Sequence, residues 1–106
     1  MRNLSPQELQ TWLASDQPAP VLLDVREGWE YATAHLAGSL HIPMNQVPQS
    51  LAQLSPQQDI VVICHHGMRS MQVAMFLERS GFNAVSNLTG GIDAWSRLVD
   101  PSVARY

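Results

Sequence analysis

The stretch CHHGMRS, residues 64–70, contains the single cysteine of the chain together with two histidines and an arginine. It directly follows the apolar run 60–63, which is typical of a buried strand, and it leads into a helical pattern. A helix that begins near Ser70 directs its unpaired amide hydrogens and the positive end of its dipole back into the loop. These groups attract anions and favour the thiolate form of a cysteine. We therefore predict that Cys64 is a nucleophile.

The other residues of this loop suit the same chemistry. Gly67 permits a backbone conformation that turns further amides inward, around Met68 and Ser70. Arg69 adds a permanent charge that can pair with the thiolate or bind an arriving oxyanion. The alternative is that Cys64 is a small buried hydrophobic residue. A core cysteine needs no glycine turn, arginine or helix start beside it, so the reactive interpretation is favoured.

His65 and His66 raise the separate possibility of a metal site. We expect the side chains of adjacent residues in a tight loop to point apart, and the chain shows no recognised spacing of metal ligands. The prediction is therefore that no metal is bound. Both imidazoles are expected to line the rim of the pocket, where a protonated histidine would attract an anionic donor.

Composition limits the class of protein. The 106 residues fit one domain, predicted to span residues 1–106, and the net charge of −3 comes with no lysine at all. No basic tract exists for nucleic acid, and no apolar run approaches the roughly 18 residues of a membrane span. The start MRNLSPQELQ lacks the pattern of a secretory signal, so a cytoplasmic location is expected. One cysteine allows no disulfide within the chain.

Helical and strand patterns alternate along the chain, which predicts parallel strands joined by right-handed crossovers in a three-layer α/β sandwich. In such sheets ligands bind beyond the carboxyl ends of the strands, where residues 64–70 lie. Asp24 and Arg26 end a neighbouring strand at the same edge; we expect them to brace adjoining loops rather than to contact substrate. The predicted helices are 6–14, 28–34, 47–54, 70–80 and one from residue 92; the predicted strands are 21–25, 39–42, 60–63 and 84–88.

Several motifs resemble those of the rhodanese homology domain. The pattern Cys-x4-Arg of residues 64–69 is similar to the active-site loop of that family, with Gly67 at the family's glycine. DVR at 24–26, EY at 30–31, HLAG at 35–38 and NLTGGIDAW at 87–95 resemble further family motifs, so the resemblance covers nearly the whole chain. The sequence departs from the family's pattern at two positions. Ala34 stands where the family often has glycine, and His65 stands where many members carry arginine.

This resemblance implies a five-stranded parallel sheet flanked by helices, with a short first strand near residues 2–4. It also implies a sulfurtransferase in which Cys64 takes the outer sulfur of a donor such as thiosulfate, and in which loop amides from His65 to Ser70 hold the persulfide. A small thiol or a protein thiol would then accept the sulfur. Related phosphatases have one more residue between the cysteine and the arginine, so the shorter loop favours sulfur transfer. We expect no cofactor and a monomeric chain.

One alternative function remains open at this point. The chain could act as a persulfide carrier, or as a redox-sensing or protein-binding module, with little turnover of its own. Scaffold members of the resembled family often lack the cysteine, so the presence of Cys64 counts against a purely structural role.

Overall fold

The computed structural model describes residues 1–106, and strands and helices alternate along the whole chain. No helix is both long enough and apolar enough to cross a membrane. In chain order the elements are β1 (Arg2–Leu4), α1 (Pro6–Leu13), β2 (Val21–Asp24), α2 (Gly28–Thr33), β3 (Leu40–His41), two 3₁₀ helices (Met44–Gln49 and Leu51–Gln53), β4 (Asp59–Ile63), α3 (Met68–Arg79), β5 (Ala84–Leu88) and α4 (Gly91–Leu98).

The five strands form one parallel sheet in the order β1-β5-β4-β2-β3. Successive side chains of β4 alternate between two separate apolar cores, so Val62 packs with α3 on one face and Val61 packs with α4 on the other. Both faces of the sheet are therefore covered, which is why β2 and β4 read as nearly continuous apolar runs. The predicted three-layer α/β architecture, with its short first strand, is confirmed.

Capping residues in the sequence determine where helices α1 and α3 begin. Ser5 caps α1 through a capping box with Glu8, and Pro6 occupies the first helical position, where a missing N–H costs nothing. α3 begins at Met68, two residues earlier than predicted, because Gly67 takes the left-handed conformation with φ of +101° and acts as its N-cap. The first turn of α3 therefore belongs to the loop that follows Cys64.

The helix predicted over residues 47–54 is wrong. The segment instead forms the two 3₁₀ helices, with a break at Ser50. Pro48 lies within the first of them, and proline removes the backbone donor that an α-helix would need there. The apolar spacing in this segment is nevertheless used, since Val47, Leu51 and Leu54 all pack against the core on the α3 side of the sheet.

The Gly90-Gly91 pair, which is the N-cap and the first residue of α4, packs directly against the loop after β4. A Cβ placed on Gly91 would lie 2.4 Å from the carbonyl oxygen of His65 and 2.5 Å from that of Cys64, distances that real Cβ atoms do not adopt. Gly91 also has φ of +62°, which L-residues rarely adopt. The close approach of α4 to the cysteine loop thus depends on this glycine.

We predict that Gly91→Ala lowers the free energy of unfolding by roughly 2–4 kcal/mol, because both backbone strain and overpacking oppose it. Denaturant unfolding followed by circular dichroism measures this change. Gly28→Ala is the matched control: a Cβ at Gly28 meets no atom within 4 Å, and its φ is not in the left-handed region. Equal effects of the two substitutions would contradict the proposed contact.

Candidate active site

Cys64 follows the last residue of β4, which pairs with β2 on one side and β5 on the other. The thiol-bearing residue therefore sits at the carboxyl edge of the sheet, in the position expected of a ligand site in a parallel α/β fold. It is only 1% exposed, so a reactant that meets the thiol has to offer a narrow group that fits into the loop.

The N-terminus of α4 holds the backbone of this loop in one orientation. The Ile92 N–H donates to the carbonyl oxygen of Cys64 at 2.9 Å, and the Asp93 N–H donates to that of His65 at 3.1 Å. In a trans peptide the C=O and N–H of one unit point in opposite directions, and the chain has no cis peptide bond. The N–H groups of His65 and His66 must therefore point away from α4.

The loop presents a set of amides that bond to no other protein atom. The Gly67 N–H donates to Cys64 Sγ at 3.0 Å. The amides without a protein acceptor are those of His65, His66, Met68, Arg69 and Ser70, the last three being the first turn of α3. Such a group of unpaired donors at a helix N-terminus suits an anion or an anionic sulfur.

A buried polar chain runs from the thiol toward the edge of the sheet. The Cys64 thiol donates to Ser70 Oγ at 3.3 Å, and the Ser70 hydroxyl donates to Asn87 Oδ1. Asn87 Nδ2 in turn donates to Asn3 Oδ1 at 3.4 Å. Ser70, which is fully buried, can thus accept from a thiol and, after rotation of its hydroxyl, donate to a thiolate.

Arg69 does not pair with Cys64 but forms a bidentate ion pair with Glu30 of α2. Its Nη1 and Nη2 donate to Glu30 Oε1 and Oε2 at 2.7 and 2.9 Å. These bonds, together with the Tyr106 hydroxyl and despite burial of the carboxylate, hold the pKa of Glu30 at about 2. The same carboxylate raises the pKa of Arg69 above its ordinary value. The guanidinium charge is therefore largely neutralised by a partner within the protein.

Asp24 and Arg26 form a second ion pair, which is more deeply buried than that of Arg69 and Glu30. Both side chains are 0% exposed, and Arg26 Nη2 donates to Asp24 Oδ2 at 2.7 Å. Arg26 also donates to the carbonyl oxygens of Glu30 and Ala34 at 3.3 and 2.6 Å, so it ties the end of β2 to the middle of α2 and to the C-cap of that helix. Neither side chain is accessible to a substrate, and the pair braces the adjoining loops.

Tyr106 links the two ion pairs. Its hydroxyl donates to Glu30 Oε2 at 2.7 Å and accepts from Arg26 Nη1 at 3.0 Å. Burial is the main reason that the pKa of Tyr106 rises to about 12, so the hydroxyl keeps its proton. Its ring also stacks on His65, with centroids 4.0 Å apart. The side chain of Tyr106 thus lies over the loop that follows Cys64.

The prediction that the side chains of His65 and His66 point apart is wrong. Their rings stack with centroids 3.9 Å apart, because Tyr106 supports His65 from the other side. His65 is half-buried and His66 is exposed. Burial, followed by the neighbouring His66, lowers the pKa of His65, which makes His65 a weaker source of the positive charge expected at the rim.

The surface around the loop has a shallow cavity of about 290 Å³ beside His66, Gly67 and Met68. Met68 is 73% exposed and forms its apolar rim. A larger cavity of about 500 Å³ lies between the α2–β3 connection and residues 100–104, and it does not include Cys64. Cys64 lines neither cavity, but the smaller one is lined by three residues of the loop that follows Cys64.

Four residues of this site were not singled out from the sequence. Glu30 and Asn87 lie in motifs that resemble family motifs, so the motifs themselves were a signal for both. Gly91 was interpreted only as part of a turn, although a pair of glycines before a helix can also mark a close backbone approach. Tyr106 has no signal in the sequence, because its role depends on the path of the chain in space.

Comparison with known proteins gives consistent results over most of the chain. The sequence model of the rhodanese-like domain family matches residues 5–98. The chain is 45% identical over 89 residues to rhodanese-like/PpiC domain-containing protein 12, chloroplastic, of Arabidopsis thaliana, covering 80% of this chain and 30% of that protein. It is 32% identical over 97 residues to thiosulfate sulfurtransferase GlpE of Actinobacillus pleuropneumoniae serotype 3 (strain JL03), covering 92% and 90% of the two chains.

Among solved structures, a rhodanese-like domain protein from Staphylococcus aureus superposes with a TM-score of 0.86. The two sequences are 27% identical, and the match covers 100% of this chain and 99% of the other. The sheet order and the helices on both faces are therefore shared along the whole length of the two chains.

We predict that the Glu30 carboxylate makes stability depend on pH. Its pKa is about 2 in the folded chain and ordinarily about 4.5, so its contribution is complete above pH 4.5 and is lost as the pH falls toward 2. The loss is on the order of 3 kcal/mol at most. In Glu30→Gln this part of the pH dependence should disappear, as measured by urea unfolding between pH 7 and pH 2.

Asp16→Asn is the control for this measurement, because Asp16 is exposed and forms no ion pair. It should leave the wild-type pH dependence intact. A Glu30→Gln variant that loses stability with acid as steeply as the wild type would show that the ion pair with Arg69 is not coupled to folding.

Proposed function

The chain belongs to the rhodanese-like domain family, and on that premise we propose that it is a sulfurtransferase that moves a sulfane sulfur from a donor such as thiosulfate to a thiophilic acceptor through a persulfide on Cys64. The observation that carries the proposal is the arrangement around the thiol. Cys64 Sγ accepts a bond from the Gly67 N–H, and five further loop amides have no protein acceptor.

In the first step the Cys64 thiolate attacks the outer sulfur of the donor. A new S–S bond forms to Cys64, and the S–S bond of thiosulfate breaks, so that sulfite leaves with the bonding electron pair. The outer sulfur of the resulting persulfide carries negative charge. The loop amides would stabilise that charge at a helix N-terminus, in the way that preorganised donors stabilise a developing anion.

The second step needs an acceptor from outside the chain. Cys64 is the only cysteine, so no second thiol of the same chain can attack the persulfide. Cyanide in an assay attacks the outer sulfur and leaves as thiocyanate, and the thiolate of Cys64 is restored. In the cell a small thiol or a protein thiol would take the same role and become a persulfide in turn.

The geometry also supports a division of roles among the residues. The Ser70 hydroxyl and the Gly67 amide lie within hydrogen-bonding distance of Sγ and would hold the thiolate and the persulfide. Arg69 is bound to Glu30 and would fix the first turn of α3 in place, while its charge contributes only at long range to an incoming anion. Asp24 and Arg26 would act as structural support.

We predict that incubation of the wild-type chain with thiosulfate adds the mass of one sulfur atom, and that cyanide removes it. Intact-protein mass spectrometry measures both changes. Cys64→Ala should show no added mass, because the nucleophile is gone. His35→Ala, which removes an exposed histidine outside the loop, is the matched control and should gain the sulfur as the wild type does.

Steady-state kinetics with thiosulfate and cyanide complete the test. A persulfide intermediate requires ping-pong behaviour, seen as parallel lines in double-reciprocal plots. Sequential kinetics, or activity retained in Cys64→Ala, would overturn the proposal. Formation of the persulfide with slow release to every small acceptor would instead identify a sulfur carrier that discharges to a specific protein thiol.

A further inference from the structure

Two side chains of the loop after Cys64 and one side chain of α4 lie close enough together to share a ligand. His65, His66 and Asp93 each offer one ligand atom, and these atoms lie within 4.8 Å of one another. The residues come from two elements, the loop after β4 and the first turn of α4. The hydrogen bond from the Asp93 N–H to the carbonyl oxygen of His65 at 3.1 Å keeps the two elements in register.

The cluster contains a polar atom that the protein does not satisfy. The Nε2 atom of His65 is buried and has no hydrogen-bond partner. A buried unpaired polar atom is unusual in a folded protein and costs free energy unless another group completes it. Stacking between Tyr106 and His66 holds the ring in this position, so the atom cannot simply turn to solvent.

We propose that His65, His66 and Asp93 form a binding site for a divalent transition metal of the zinc and copper class. Two imidazole nitrogens and one carboxylate oxygen are a donor set that suits these metals and does not suit calcium or magnesium. Three protein ligands also leave a fourth position for water or another small ligand.

Binding requires one movement, and the exposed member of the cluster can make it. Tetrahedral zinc holds its ligand atoms about 3.3 Å apart. The three ligand atoms now lie within 4.8 Å of one another, so the cluster has to contract to that spacing. His65 is fixed by Tyr106 and Asp93 is fixed by α4, whereas His66 is exposed. Rotation of the His66 ring out of the stack brings its nitrogen to the metal at the loss of one aromatic contact.

Two arginines already compete for the carboxylate. Arg97 Nε donates to Asp93 Oδ2 at 3.2 Å and Arg105 Nε donates to Asp93 Oδ1 at 3.1 Å. Both guanidinium groups are about half exposed and would have to share the carboxylate with the metal. Removing the charge of Arg105 should tighten binding, since it removes a competing cation.

A bound metal would act on the neighbouring thiol. Its ligands include the two residues that follow Cys64, whose amides belong to the set that is proposed to hold the persulfide. The metal site would thus be an inhibitory one, and this consequence rests on the proposed function. The binding site itself does not, so the test measures binding in a chain that cannot form a persulfide.

The experiment is isothermal titration of Zn²⁺ into the full chain carrying Cys64→Ala, with the wild type in parallel. One zinc per chain should bind in both, because the thiol is not a ligand. His66→Ala and Asp93→Asn, each made in the Cys64→Ala background, should weaken binding by roughly tenfold or more. Arg105→Gln in the same background should tighten it several-fold.

His35→Ala and Asp59→Asn are the matched controls, since each removes the same type of exposed side chain outside the cluster. Both should leave the affinity for zinc unchanged. The proposal is overturned if the Cys64→Ala chain binds no zinc, if His35→Ala costs as much affinity as His66→Ala, or if Arg105→Gln weakens binding. Inhibition of sulfur transfer by zinc in the wild type, reversed by a chelator, would confirm the effect on Cys64.

Discussion

The contact between the N-terminus of α4 and the backbone of the cysteine loop is the constraint on which the rest of the site depends. Two amides of α4 bind the carbonyl oxygens of Cys64 and His65, and planar trans peptides then force the next two N–H groups to the opposite side. The first turn of α3 adds its own unpaired amides. The donors around Sγ are thus a result of backbone geometry, and only Gly91 allows the two segments to come close enough.

The charged side chains of this site pair with one another inside the protein and do not point into the loop as free charges. Arg69 is bound by Glu30, Arg26 is bound by Asp24, and the Tyr106 hydroxyl joins the two pairs. Burying such charges is costly unless each is paired and hydrogen-bonded, and here nearly every polar atom has a partner. The network fixes α2, the first turn of α3 and the end of the chain in one geometry. An anionic substrate would consequently be recognised by neutral amide donors, whose positions this network helps to hold.

The paired histidines show how packing changes the chemistry of a loop. Two adjacent imidazoles on a free loop would be exposed bases, yet the ring of Tyr106 turns His65 into a half-buried member of an aromatic stack. That stack leaves one imidazole nitrogen without a partner and brings both rings near Asp93. The same contact that weakens His65 as a cation therefore makes it a better candidate for a metal ligand.

The sequence by itself determined the alternation of strands and helices, the position of Cys64 at a strand end and the proximity of Asp24 to Arg26, because these depend on residues only a few positions apart. The error over residues 47–54 was of the same local kind, since Pro48 is visible in the sequence. Only the tertiary structure decided that Arg69 pairs with Glu30, 39 residues away, and that Tyr106 closes the network. Apolar periodicity encodes which face of an element is buried, but it does not encode which polar side chains meet once distant elements have packed together.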